Sequence, residues 1–378
     1  MHFEAVILGG GFAGRRAAHA LRRTGRKVAL LDPSPVTTML PLLPDLAGGW
    51  APDEIAIHPL ADLLPRNATL IPEAATAIHL NKNRLETANQ TLTFDQLLIA
   101  VGATPNLRPI TWSRERVHVL GNLDDARRIR RDFAAYLHET DTPRLLVSGT
   151  GYTGLELAVS LHVRARAAGK PCQTTIVDLN PILLPSLPEK QRRHVLDFLT
   201  AQGIEVRMDA AVESLDDRQA VAGGRIYERP FFCWTIGSVF PGIQLHGQTE
   251  TLRDGRLLVR PDLSLPGHPN IFVAGDAAAV TRRGQPLRKA VNFAYYGGRH
   301  AGRNMARRLA GRPTRPFRPM DLGWVVPFQT TSVGRLPGNI WIRGRLGVRL
   351  HHLMCGVRNY SFKNFAGCVK LAWKGNPT

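Results

Sequence analysis

The sequence predicts an α/β fold made of two parallel-sheet modules of the same design, followed by a basic, amphipathic C-terminal region. A motif that occurs twice and an acid-free tail carry that expectation. The first copy is the apolar run Ala5–Leu8, then Gly9-Gly10-Gly11-Phe12-Ala13-Gly14, a helix-like stretch, and Val28–Leu31 ending in Asp32. The second is Leu145–Ser148, then Gly149-Thr150-Gly151-Tyr152-Thr153-Gly154, a helix-like stretch, and Thr174–Val177 ending in Asp178.

Each glycine in such a unit has its own task. The first (Gly9, Gly149) makes the tight turn out of the strand. The second (Gly11, Gly151) lets the backbone approach a pyrophosphate. The third (Gly14, Gly154) lets helix and strand pack closely, with the phosphates at the helix N-terminus. The carboxylate after the next strand (Asp32, Asp178) accepts hydrogen bonds from ribose hydroxyls. Two complete units predict two Rossmann-like dinucleotide-binding modules in one chain, an arrangement suited to electron transfer between nucleotides. Asp178 would repel a 2′-phosphate, so the second nucleotide is expected to be NAD(H).

Composition agrees. The 378 residues suffice for two or three cored domains, and 44% hydrophobic with 21% charged residues is ordinary. The net charge of +19 is not, and it favours anionic partners. The first strand begins at the N-terminus, so no signal peptide is expected, and no apolar run is long enough to span a bilayer. Cys172, Cys233, Cys355 and Cys368 are widely separated and suit a reducing cytosol; no metal site is expected.

Leu97–Val101 reads as a buried strand running into Gly102-Ala103-Thr104-Pro105, and Ile271–Ala274 as another ending in Gly275-Asp276. With these segments beside the two glycine motifs, the chain resembles the two-dinucleotide flavoproteins of the pyridine-nucleotide oxidoreductase type. Within them it is most similar to type II NADH dehydrogenases. The likeness rests on Thr37–Gly49, Thr153-Gly-Leu-Glu-Leu-Ala158, Leu183–Lys190 and Trp234-Thr-Ile-Gly237, and spans about residues 3 to 310. It implies FAD on the first motif, Gly102 to Thr104 and Gly275-Asp276. It implies NADH on the second motif and Gly237, with Glu156 near the nicotinamide end. Hydride would pass from NADH to the flavin and electrons onward to a quinone. The implied organisation is an FAD module in two parts (1–112 and 271–320), an NADH module (113–270) inserted into it, and a C-terminal membrane-association region (321–378).

The acceptor side departs from the family pattern. Where the resemblance implies two glutamines beside the quinone, this chain has Asn292 and Tyr296, both able to hydrogen-bond a carbonyl. The disulfide-reductase C-x-x-x-x-C is absent, and the four cysteines read as buried structural thiols.

After Asp321 no acidic residue follows, while Lys and Arg recur from Arg335 to Lys374. At 100° per residue Leu346, Leu350, Leu353, Met354 and Val357 share one helical face, with Arg345, Arg349 and His352 on its flank. Phe362, Phe365, Val369 and Trp373 add apolar supply, and Tyr360 and Trp373 suit an interface. This reads as a helix on an anionic membrane surface, placing the protein peripherally on the inner face of the cell membrane. Burial of the stripe on the body or in a homodimer is the alternative. Two further readings stay open: another acceptor (a soluble carrier or sulfide-linked chemistry), or a nucleic-acid-binding flavoprotein. The second is less favoured and rests on Arg15, Arg16, Arg22, Arg23 and the arginines of 127–131.

Overall fold

The computed structural model describes residues 1–359 and 361–374, so the role expected of Tyr360 lies outside the described residues. Its helices are α1 (Phe12–Leu21), α2 (Leu43–Gly48), α3 (Leu123–Glu139), α4 (Tyr152–Ala167), α5 (Glu189–Ala201), α6 (Val291–Leu309), α7 (Gly344–Arg358) and α8 (Phe362–Lys374). The chain divides into two units.

The first unit contains residues 1–37, 58–104 and 238–322. Its parallel strands run in the order His268–Val273, Thr91–Ile99, His2–Leu8, Val28–Leu31 and Ala68–Ile71. Val6, Leu8, Leu97, Ile99, Ile271 and Val273 form part of one buried core, which explains the unbroken apolar runs in these strands. Ala75–His79 and Arg84–Thr87 extend the sheet antiparallel, and Gln244–His246 pairs parallel with Ala77–His79. Helices α1 and α6 lie against each other at closest backbone range. A Cβ added at Gly298 would stand 2.1 Å from the Ala13 carbonyl oxygen, and one at Gly302 would stand 2.6 Å from that of Ala17.

The second unit contains residues 38–57, 105–237 and 323–378. Its parallel sheet has the order Ile204–Arg207, Gln173–Val177, Arg144–Ser148, Phe231–Trp234. A capping box starts α3: Asn122 accepts from the Asp125 amide at 2.9 Å and Asp125 accepts from the Asn122 amide at 3.2 Å, a motif contributing about 1 kcal/mol. The β-leaning stretch after residue 320 is a three-stranded antiparallel sheet (Trp324–Phe328, Thr331–Leu336, Ile340–Arg343) that runs directly into α7.

These breaks differ from the expected boundaries at 112/113, 270/271 and 320/321. Residues 238–270 join the first unit because Gln244–His246 adds a strand to its sheet. Residues 323–378 join the second because α7 packs on the antiparallel sheet and Asn359 and Asn364 bond the carbonyls of Ile55 and Ile57. No helix among the described residues is long and apolar enough to cross a membrane.

Candidate functional site

Strand register decides which loops can cooperate. In the first unit Leu8 is level with Leu31 and Ile99, and Ile99 with Val273. The Gly9 turn, Asp32, Gly102 and Gly275-Asp276 therefore leave one carboxyl edge together, the edge where open α/β sheets bind ligands. Gly9 has φ +97°, a conformation that side chains disfavour. A Cβ on Gly14 would sit 1.8 Å from the Gly9 carbonyl oxygen. By contrast, a Cβ on Gly11 or Gly102 would meet no protein atom within 4 Å, so both border open space. Ala103 is half-buried and Thr104 exposed.

Asp32 closes this turn from inside the protein. Its Oδ2 accepts from the Gly10 amide at 2.6 Å and its Oδ1 from the Ser34 amide at 2.8 Å. Burial pushes its carboxyl above the usual range in spite of those bonds. Asp276 is different: its carboxylate makes no hydrogen bond among the described residues. Burial raises its pKa, against the opposing pull of Lys289 and Arg256 nearby.

The second unit repeats the arrangement. Ser148 is level with Val177 and Trp234, so the Gly149 turn, Asp178 and Gly237 share an edge. Gly149 has φ +113°, and a Cβ on Gly154 would stand 2.0 Å from the Gly149 carbonyl oxygen. A Cβ on Gly151 would meet nothing within 4 Å. Asp178 Oδ2 accepts from the Thr150 amide and hydroxyl at 2.7 Å, and Oδ1 from the amide and side chain of Asn180 at 2.9 Å. Burial alone would raise this carboxyl, but the four bonds outweigh it and hold Asp178 below the usual range. Both aspartates thus have a turn-closing task that the motif reading did not include. The residue after the first glycine, Gly10 or Thr150, supplies the amide in each case.

Glu156 lies in the second turn of α4, which begins at Tyr152. It is half-buried, and its carboxylate makes no hydrogen bond among the described residues. Burial, and then the Asp45 carboxylate, push it well above the usual range. Asp45 was not foreseen, although it is a lone acid in the apolar run Leu40–Ala47. It is buried and accepts from His352 Nε2 at 3.2 Å and from Gln329 Nε2 at 3.3 Å. Burial would raise Asp45, but the hydrogen bonds from His352 and Gln329 and the charges of His352 and His351 together outweigh it and hold the carboxyl below the usual range.

On α6, Asn292 and Tyr296 lie one turn apart. Asn292 is buried and donates its amide to the Met320 carbonyl at 3.1 Å. Tyr296 is half-buried, stacks edge-on with Tyr295 at 5.3 Å, and its hydroxyl makes no hydrogen bond among the described residues. The four cysteines are free and buried. Burial pushes the thiols of Cys233 and Cys355 far up, and that of Cys368 up to about 11.

In the tail, α7 buries Gly347, Val348, His351, His352, Cys355 and Gly356. The stripe read from the wheel lies away from these: Leu346 is 66% and Val357 75% exposed, Leu350, Leu353 and Met354 are half-buried, and on α8 Phe362 is 84% exposed. His352 is a correction, since it leaves the Arg345–Arg349 flank to pair with buried Asp45. Gly347 and Gly356, which weaken an isolated helix, are contact points here. A Cβ at Gly347 would stand 2.0 Å from Ser332 Oγ, and one at Gly356 3.1 Å from Phe365 and Cys368. The basic run 127–131 is largely answered by acids. Arg127 and Arg130 pair with Asp53 at 2.6 and 2.9 Å, and Arg131 with Asp132 at 2.8 Å.

Comparison with known proteins agrees with this geometry. Among curated proteins, the type II NADH:quinone oxidoreductase of Staphylococcus aureus (strain bovine RF122 / ET3-1) is 24% identical, covering 85% of this chain and 86% of its own. That of Staphylococcus saprophyticus is 22% identical with the same coverage. Among solved structures, NDH2 of Plasmodium falciparum, in complex with NADH, superposes with a TM-score of 0.85 at 15% identity over 99% of each chain. The sulfide:quinone oxidoreductase of Aquifex aeolicus gives 0.80 at 18% identity over 98% of this chain and 92% of its own. Residues 3–301, which include both glycine turns, match the pyridine nucleotide-disulphide oxidoreductase family. The chain therefore belongs to that family and is an oxidoreductase with its two-nucleotide fold.

Proposed function

We propose that this protein is an FAD-dependent NADH dehydrogenase that passes electrons to a quinone while resting on an anionic membrane surface. The observation that carries the reading is the pair of glycine cradles, each with an open second glycine and an internally bonded aspartate, in a chain whose curated relatives are named NADH:quinone oxidoreductases.

The residues of the first cradle fit FAD. Gly11 and Gly102 border space that a Cβ would fill, and Asp276 offers a carboxylate without a hydrogen-bond partner among the described residues. When bound, FAD supplies hydride acceptance and electron release; the protein supplies binding and electrostatics. Gly149, Gly151 and Gly154 would hold the NADH pyrophosphate, and the firmly ionised Asp178 would select against a 2′-phosphate. Glu156, whose carboxyl burial and then the Asp45 carboxylate push well above the usual range, holds a proton more readily than an ordinary glutamate. The free Tyr296 hydroxyl can donate to a quinone carbonyl. Asn292 gives one of its two amide hydrogens to Met320, and the second could do the same. No thiol relay is needed, because the buried, raised thiols are not thiolates at neutral pH.

The membrane reading is supported by exposed Leu346, Val357 and Phe362 and by exposed Arg345 and Arg349. Unpaired buried thiols suit the cytoplasmic side. Deleting the tail would strip Asp45 of His352, so the better test is substitution of exposed side chains. Leu346, Val357 and Phe362 changed together to Ser should leave folding and NADH-to-flavin reduction intact. The change should weaken binding to anionic liposomes by at least about 100-fold, since each side chain brings on the order of 1–3 kcal/mol to an apolar phase. Turnover with long-chain quinone should fall more than turnover with a soluble one. Unchanged liposome binding would remove the membrane from the reading.

A further inference from the structure

The first unit carries a basic recess that the nucleotide cradles do not use. It forms because Gly298 and Gly302 bring α1 and α6 into backbone contact, Ala13 facing Gly298 and Ala17 facing Gly302, so the two helices run in the same direction. Residues three and four positions apart then line up along the seam. On α1 and just beyond its end these are Arg16, His19, Arg22 and Arg23; on α6 they are Arg299 and Arg303. All six line one concavity, and no carboxylate lines it.

None of the five arginines forms an ion pair among the described residues. This sets them apart from the chain's other arginine run, where Asp53 and Asp132 answer Arg127, Arg130 and Arg131. Arg15, the remaining member of the N-terminal run, is turned inward and buried, donating from Nε to the Gly11 carbonyl at 3.1 Å. Slight desolvation of this exposed side chain, with Arg299 and Arg16 close by, holds the Arg303 guanidinium below the usual arginine range. The cluster is therefore self-repelling as it stands, and an anion would relieve it.

We infer that this recess is a binding site for a ligand bearing two or more linked phosphoryl groups. Guanidinium forks match phosphoryl oxygens two at a time, and their charge is fixed at every physiological pH. From Arg16 to Arg23 the helix advances only about 10 Å, which suits a few linked phosphates rather than a nucleic-acid tract. A single-strand site would also need open aromatic platforms. The neighbouring ring, Tyr295, is already covered by the Arg16 guanidinium at 4.4 Å. The same chemistry is presented by a free oligophosphate and by a polyphosphorylated lipid headgroup.

The test uses FAD-loaded protein saturated with NAD⁺, so that both nucleotide cradles are filled. Inorganic triphosphate is titrated calorimetrically at low salt. Arg23→Gln with Arg303→Gln should raise its Kd about tenfold or more. A charge-matched control, Arg312→Gln with Arg318→Gln, should change it less than about twofold if the site is local. Flavin content and unfolding midpoint report that both double variants are folded. Vesicles containing phosphatidylinositol bisphosphate are compared with phosphatidylserine vesicles of equal surface charge. Preference for the bisphosphate vesicles, lost in the recess variant, assigns the headgroup as the source. Triphosphate binding without that preference assigns a free anion. The inference is overturned if both double variants weaken triphosphate equally, if neither triphosphate nor the bisphosphate vesicles bind, or if a single-stranded oligonucleotide binds more tightly through these same arginines.

Discussion

Two neighbouring glycines in the first cradle should fail in different ways when given a side chain. Gly11 is the N-cap of α1 at φ −70° and ψ −164°, an extended conformation open to any residue, and a Cβ there meets no atom within 4 Å. Gly11→Val should therefore cost the cofactor-free protein about 1 kcal/mol or less, chiefly through a poorer helix cap. Its side chain would nevertheless occupy the pyrophosphate space, and the purified protein should be colourless. Gly14→Ala meets the protein itself. Its Cβ would lie 1.8 Å from the Gly9 oxygen, where under 3.0 Å something must shift, so strand and helix must part by about 1 Å. Overpacking of that kind costs about 1–3 kcal/mol or more. The assay is flavin absorbance per protein together with urea midpoints of flavin-stripped samples. A yellow Gly11→Val protein, or one destabilised as much as Gly14→Ala, would refute the assignment of that open space to the cofactor.

Two more expectations concern charge. Asp178→Ser should narrow the preference for NADH over NADPH in the rate of flavin reduction, and it should also loosen the turn by releasing the Thr150 and Asn180 donors; equal rates with both nucleotides in the unmutated protein would contradict this role. Burial depresses His351 and His162 to about 4, so between pH 6.5 and 4 the unfolded chain binds protons that the folded chain does not. Stability should be complete above about pH 6.5 and fall as pH drops, by up to about 2 kcal/mol per histidine at pH 5. Urea midpoints at pH 7.5 and 5 measure the loss, which His162→Gln should reduce; a flat pH profile in the unmutated protein would show that these rings are not held neutral.

The cradles were legible because their signals are local. A turn that needs φ +97° or +113° asks for glycine at Gly9 and Gly149, and an apolar strand ending in Asp follows at a fixed interval. Long-range partners leave no such trace. Asp45 meets His352 across 307 positions, and Asp53 meets Arg127 and Arg130 across 74 and 77. The helical wheel found the stripe of α7 but could not tell which face the protein buries. That choice was made by small residues, Gly347 and Gly356, that admit close contact, and by the buried acid that draws His352 inward. The short strand Gln244–His246 is likewise fixed by its pairing with Ala77–His79 rather than by its own composition, which is why residues 238–270 fell outside the expected module.

Anaerobic stopped-flow spectroscopy separates the two half-reactions and tests the central claim most directly. Mixing the FAD-loaded protein with NADH should bleach the flavin in a single turnover. A second mix with quinone should restore its colour, and Tyr296→Phe should slow only this second step. If NADH leaves the flavin oxidised, or if quinone fails to reoxidise reduced flavin while a soluble acceptor or oxygen does so readily, the protein is not an NADH:quinone oxidoreductase.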